Sequence, residues 1–121
     1  IEHVAVVSKN TAALKDWYMQ VFGGEVVYDN GKGTYFLAFS DGSMIEFVKT
    51  DIDGGKHDMK ATGIRHIAIS VDNFDELVKK LTDSGVKILT EPAVNAKGIG
   101  TMFFEDPDGN GLHLINRPMP L

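Results

Sequence analysis

Four side chains in this sequence are of the right types to hold a divalent metal ion: His3, Glu46, His66 and His113. Imidazole nitrogens suit Zn, Fe, Co and Ni, and a carboxylate adds one hard oxygen. Glu46 lies between Ile45 and Phe47, and His113 lies between Leu112 and Leu114. Side chains alternate faces along a strand, so each ionisable group points away from its apolar neighbours. His3 shares a strand face with Ala5 and Val7, and His66 shares one with Ala68 and Ser70. The opposite faces carry Val4 and Val6, and Ile67 and Ile69, which is what a covering helix requires. A buried carboxylate or imidazole without a partner is costly, and a metal ion supplies that partner. Taken singly, each of the four is an ordinary strand residue.

What joins them is a duplication. Ile1-Glu2-His3-Val4-Ala5-Val6-Val7 aligns with Ile64-Arg65-His66-Ile67-Ala68-Ile69-Ser70 at an offset of 63, and Asn10 and Leu14 meet Asn73 and Leu77 at the same offset. Gly31-Lys32-Gly33-Thr34-Tyr35-Phe36 then aligns with Gly98-Ile99-Gly100-Thr101-Met102-Phe103 at an offset of 67. Asp41-Gly42-Ser43-Met44-Ile45-Glu46-Phe47 keeps that offset onto Asp108-Gly109-Asn110-Gly111-Leu112-His113-Leu114, so the second half holds four extra residues, assigned to the loop around Glu91 to Ala96. An internal repeat of this kind decides the fold. It also places an ionisable group at all four matched positions, two in each half.

The elements that must position them follow from periodicity and turn chemistry. A strand is expected over 1–8. A helix is expected from Thr11 to Phe22, with Leu14, Trp17, Tyr18 and Val21 inward, Asn10 or Thr11 as N-cap, and Gly23-Gly24 as the stop. Strands near Glu25–Tyr28, Thr34–Ser40 and Ser43–Lys49 follow, the last two joined at Asp41-Gly42. The second half repeats the plan with a strand over 65–71, a helix Phe74–Ser84 closed by Gly85, and strands near Val86–Thr90, Gly100–Glu105 and Gly111–Asn116. Asp106-Pro107-Asp108-Gly109 reads as a turn in which Pro fixes φ and Gly accepts positive φ. The expected organisation is one domain over 1–121: module one 1–50, a polar linker 51–63, and module two 64–117. His57, beside Lys56 and Asp58, reads as a solvated linker residue. Gly31, Gly33, Gly98 and Gly100 lack the strand-to-helix setting of a phosphate loop and read as loop glycines.

Bulk properties exclude several alternatives. With 121 residues, 43% hydrophobic and 24% charged, the chain reads as one globular domain. The absence of cysteine rules out disulfides, thiolate ligands and a cysteine nucleophile, and is compatible with a cytoplasmic location. A net charge of −5, with Lys and Arg scattered, argues against nucleic acid as partner. No apolar run approaches the roughly 18 residues a membrane span needs. The chain opens at Ile1 inside a strand pattern, so residues are expected to precede it.

In the segments IEHVAVVSKNTAALKDWYMQVFGG, GSMIEFV, IRHIAISVDNFDELVKKL and FFEDPDGNGLHLIN, nearly the whole chain resembles the vicinal oxygen chelate superfamily, closest in pattern to glyoxalase I-like proteins. The resemblance implies an α+β fold of two tandem βαβββ modules forming an open, barrel-like mixed sheet around a metal cavity. It implies His3, Glu46, His66 and His113 as ligands of one divalent ion (Ni, Co, Zn, Mn or Fe), a small-molecule substrate with adjacent oxygens, and often a homodimer. The implied chemistry is a lyase or isomerase reaction through an enediolate-type anion, with Glu46 as the proton-moving carboxylate. One departure matters: His113 stands where the family more often has a glutamate after the Asp-Pro-Asp-Gly-Asn turn, so a second catalytic carboxylate is lost. Two other classes stay open, an extradiol-type dioxygenase and a non-catalytic binding or antibiotic-resistance protein of the same fold.

Overall fold

The computed structural model describes all of residues 1–121. They form two compact units, Ile1–Gly55 and Lys56–Leu121. The boundary falls inside the expected linker.

The first unit contains β1 (His3–Ser8), α1 (Thr11–Phe22), β2 (Glu25–Asp29), β3 (Tyr35–Ala38) and β4 (Met44–Lys49). Its strands lie in the order β1-β4-β3-β2. β1 runs parallel to β4, and the other neighbours are antiparallel. Helix α1 starts where the Asn10 side chain accepts the Ala13 backbone N–H at 3.1 Å, and stops at Gly23, whose φ of 78° a side chain would resist. Leu14, Tyr18 and Val21 recur at helical spacing and are buried, and they face the apolar side of the sheet. Val6, Leu37, Ile45 and Phe47 line that side, and the Tyr18 and Phe47 rings meet at 5.4 Å. Each fully buried side chain of this size stabilises by about 1.5–3 kcal/mol before ordering entropy. Trp17 stands at the margin of this core, half-buried against Tyr18 and Phe22.

The second unit repeats the plan with β5 (Ile67–Ser70), α2 (Phe74–Ser84), β6 (Ala93–Val94), β7 (Gly100–Glu105) and β8 (Gly111–Asn116), in the order β5-β8-β7-β6. Phe74, Leu77 and Leu81 of α2 and Met102, Phe104, Leu112 and Leu114 of the sheet are all buried. Helix α2 starts without a side-chain cap from Asn73, and Asp75 and Glu76 in its first turn complement the helix dipole instead. The Asp106–Asn110 turn forms as expected, with Asp106 N bonded to Asn110 O at 3.0 Å and Gly109 N to Asp106 O at 3.0 Å.

One element differs from the sequence expectation. Val86–Thr90 is not a regular strand. It touches β7 through a single bridge, Ile88 to Phe104, flanked by backbone bonds from Leu89 and Thr90 to Phe103 O. The outer strand is β6, after Pro92. Proline has no N–H to give a ladder, so Glu91-Pro92 breaks what would otherwise be one continuous edge. The four extra residues of the second half thus hold a strand as well as a loop.

In each unit the helix covers one face of the sheet and leaves the other open. On those open faces Ala5, Val7, Ala68 and Ser70 are exposed.

Candidate metal centre

The strand register fixes where the four residues stand. In the first unit His3 pairs with Met44 and Ala5 with Glu46, so His3 and Glu46 lie on the same open face of neighbouring strands, offset by one two-residue step. Phe36 pairs with Glu46 from the other side and joins that face. Its ring meets His3 at 5.2 Å, edge to face. The His3 Nδ1–H donates to Glu2 Oε1 at 2.8 Å. That bond sets the tautomer and leaves the Nε2 lone pair for a metal, as a carboxylate behind a ligating histidine does.

The second unit has the same arrangement. His113 pairs with Ala68 on one side and Phe103 on the other. The Phe103 and His113 rings stack at 4.1 Å and nearly parallel, while His66 meets Phe103 at 5.1 Å and His113 at 5.1 Å, both edge to face. Phe36 and Phe103 are therefore counterparts, each an aromatic wall beside a histidine of its own unit, His3 at the start of β1 and His66 one residue before β5, which begins at Ile67 rather than at 65 as expected. The repeat contained that signal, because both close the Gly-x-Gly-Thr-x-Phe segments, but sequence reasoning gave them no role.

Two electrostatic facts bear on ligation. Burial, then the positive charge of Arg65 and the presence of His57, lower the His66 pKa below its ordinary value. Burial, then His66, Arg117 and Arg65, do the same at His113. Both imidazoles are thus held neutral, the form that binds a cation. His113 Nε2 is buried and has no hydrogen-bond partner. A buried ring nitrogen left unpaired is a defect unless something fills the place, and a metal ion would. The donor set fits a divalent metal on these grounds. His66 needs one adjustment: Arg65 Nη1 points at its Nδ1 over a long 3.4 Å, so ligation through Nε2 requires the ring proton to sit on Nδ1 and the guanidinium to turn away.

The structure gathers the four residues as two sets, His3 with Glu46 on one open face and His66 with His113 on another. No group of three or more His, Asp or Glu side chains comes together as a metal-holding cluster.

His57 is a correction. It is not a solvated linker residue: its side chain is only 12% exposed. Its Nε2–H donates to the Arg65 carbonyl at 2.6 Å, and its Nδ1 faces Glu105 Oε1 at 3.9 Å. The ring lies over Gly111, where an added Cβ would stand 2.5 Å from His57 Cε1 and 2.7 Å from Arg65 O. Nothing in the local sequence announces this, since the contact joins residues far apart in the chain.

Comparison with known proteins gives the family and the fold. The family described as Glyoxalase/Bleomycin resistance protein/Dioxygenase superfamily matches residues 1–114. Biphenyl-2,3-diol 1,2-dioxygenase 2 of Rhodococcus globerulus is 26% identical over 93% of this chain, which spans only 60% of that protein. A mitochondrial methylmalonyl-CoA epimerase of Dictyostelium discoideum is 29% identical over 93% of this chain and 74% of its own length. The solved structure of a glyoxalase/dioxygenase from Nostoc punctiforme superposes with a TM-score of 0.81 at 16% identity, covering 98% of this chain and 91% of that one. That likeness establishes the fold.

Proposed function

The chain belongs to the glyoxalase/bleomycin resistance protein/dioxygenase superfamily, and from that premise we propose that it is a divalent-metal-dependent lyase or isomerase of the glyoxalase I kind. The reading takes residues 1–121 as one working domain, with His3, Glu46, His66 and His113 as metal ligands. It takes the protein as a cytoplasmic homodimer that acts on a small substrate with adjacent oxygens. The observation that carries it is the unpartnered, buried Nε2 of His113 beside His66, with both rings held neutral.

Bound there, a divalent ion (Ni, Co, Zn, Mn or Fe) would supply Lewis acidity to an enediolate-type anion. The chain's own residues do the rest. His3, with Nδ1–H tied to Glu2, offers Nε2. Phe36 and Phe103 pack edge to face against His3 and His66 and limit the directions in which those rings can turn. Glu46 is the only carboxylate in the ligand set. It takes the carbon-bound proton next to a carbonyl at one of its oxygens and returns it to the neighbouring carbon. His113 in place of a second carboxylate makes this a one-base reaction.

The dioxygenase reading rests on the Rhodococcus relative, named for a diol-cleaving activity. One experiment separates the two. The protein is loaded in turn with Ni, Co, Zn, Mn and Fe(II), and its metal content measured. It is then assayed on a methylglyoxal–thiol hemithioacetal, and for oxygen uptake with a catechol. The proposal expects stoichiometric metal and isomerisation that falls by about 10²–10⁴-fold in Glu46→Gln with metal retained. Failure to take up any metal refutes both readings, and oxygen uptake without isomerisation favours the dioxygenase.

A further inference from the structure

The matched histidines His3 and His66 are anchored differently. In the first unit His3 lies inside β1, paired with Met44 of β4. The residue before it is tied down by the sheet, where Met44 N–H donates to the Glu2 carbonyl at 3.2 Å. The repeat matches Glu2 with Arg65 and Met44 with Gly111. In the second unit the ladder starts one residue later, with Ile67 opposite Leu112, so His66 stands outside it. The Arg65 carbonyl is met instead by a side chain, His57, whose Nε2–H donates to it at 2.6 Å.

The imidazole is built into that place. A carbonyl only accepts, so Nε2 must carry the proton. The ring fills the space that a side chain at 111 would need: a Cβ there would stand 2.5 Å from His57 Cε1. The matched position in the first unit holds Met44, and here it holds a glycine. Glu105 Oε1 faces the other ring nitrogen, Nδ1, at 3.9 Å, with Lys87 Nζ 3.9 Å from the same oxygen. A second tie runs the opposite way, from Arg65 Nε–H to the Met59 carbonyl at 3.2 Å. Segment 57–65 is thus closed on itself by two hydrogen bonds, and both end on the residue before His66. Phe103 and His113 touch the His66 ring edge to face, but the backbone sets the direction in which that ring leaves the chain.

We propose that His57 is a positioning residue for His66: its imidazole replaces the sheet hydrogen bond used in the first unit and fixes the backbone from which His66 projects. This deepens the function proposed above and rests on its reading of His66 as a metal ligand. Ligands must be held within about 0.5 Å of their places, and hydrogen bonds behind them supply that hold. The linker is therefore part of what aims His66.

The test uses the full chain and three substitutions. His57→Gln keeps an N–H donor of similar reach, His57→Leu keeps bulk without a donor, and His57→Ala removes both. Co(II) affinity is measured by competition with a chelator. In metal-free protein, NMR follows the NOE contacts of the His66 ring with Phe103 and His113. His57→Leu and His57→Ala are expected to bind Co(II) about 10–100-fold more weakly and to lose or weaken those contacts. His57→Gln is expected to keep both near wild type. If His57→Leu does not fold, the comparison of His57→Ala with His57→Gln decides alone. A merely structural role would lower the melting temperature without moving either readout, and that result overturns the proposal. So does His57→Gln behaving like His57→Ala. A wild-type chain that takes up no Co(II) refutes the metal reading, and the metal-free contacts then decide this one. It is upheld when they are lost in His57→Ala and kept in His57→Gln, and overturned otherwise.

Discussion

Replacing Gly111 by alanine tests the packing that ties the linker to the histidine face. Gly111 does not need positive φ, so backbone strain is not the issue; space is. The new Cβ would lie 2.5 Å from His57 Cε1 and 2.7 Å from the Arg65 carbonyl oxygen, and the second neighbour is backbone. Both contacts must give. The His57 ring swings out and its 2.6 Å bond to Arg65 O is lost, at about 0.5–1.5 kcal/mol. The backbone must also move, β5 shifting against β8 next to Ile67 and Leu112, and overpacking of this kind costs about 1–3 kcal/mol. Together they predict a loss of about 2 kcal/mol. With about 2.1 cal/mol/K of unfolding entropy per residue, that lowers the melting temperature by about 8 °C. The assay is thermal and urea unfolding with chelator present, so that bound metal does not add its own stabilisation. The diagnostic is a double-mutant cycle. His57→Ala alone removes the hydrogen bond and the ring contact but leaves the Arg65 carbonyl 2.7 Å from the new Cβ, so Gly111→Ala on that background should cost about 1 kcal/mol less than it does in wild type. Full additivity of the two changes, or a single Gly111→Ala within about 0.5 kcal/mol of wild type, would refute the reasoning.

Three further outcomes are expected. His66 and His113 have folded-state pKa values below the unfolded value near 6.5, so the unfolded chain binds more protons; metal-free stability is fully present above about pH 6.5 and is lost as pH falls through the folded values. Urea midpoints measured across that range should show this slope, and His113→Gln should flatten it. Asp106, 4% exposed, accepts bonds from Asp108 N, Asn110 N and Asn110 Nδ2 at 2.7–3.0 Å, so Asp106→Ala should cost about 2–3 kcal/mol in chemical unfolding, where Asp108→Ala should cost less than about 0.5. Asn10→Ala should lose about 1 kcal/mol through the α1 cap, whereas Asn73→Ala, whose side chain caps no backbone group, should be nearly neutral by the same measurement.

How much of this was legible in the sequence depends on whether the determinant is local or paired by the repeat. Helix α1 was readable to its ends because Asn10, Leu14, Tyr18, Val21 and Gly23 are a local pattern. The sharing of a face by His3 and Glu46, and the meeting of the His66 and His113 rings, followed from strand alternation once the duplication aligned them. The second-half edge strand was misplaced because the repeat predicts Val86–Thr90, and one proline overrides it. His57 was missed for the opposite reason: it has no counterpart in the first half, and its partners Arg65, Glu105 and Gly111 are brought to it only by the fold. That asymmetry carries functional weight. Duplication gives both units a histidine against a phenylalanine, 5.2 Å in one and 5.1 Å in the other, with a second ionisable group one strand over. Where the halves part, the first has Glu2 behind His3 and the second has Arg65 beside His66, so the matched position just before each histidine carries opposite charge. A carboxylate there raises the basicity of the ligand it holds, while a guanidinium repels bound cation and attracts anion. The two halves thus share the histidine–phenylalanine pair and differ in the sign of the charge that stands just before the histidine.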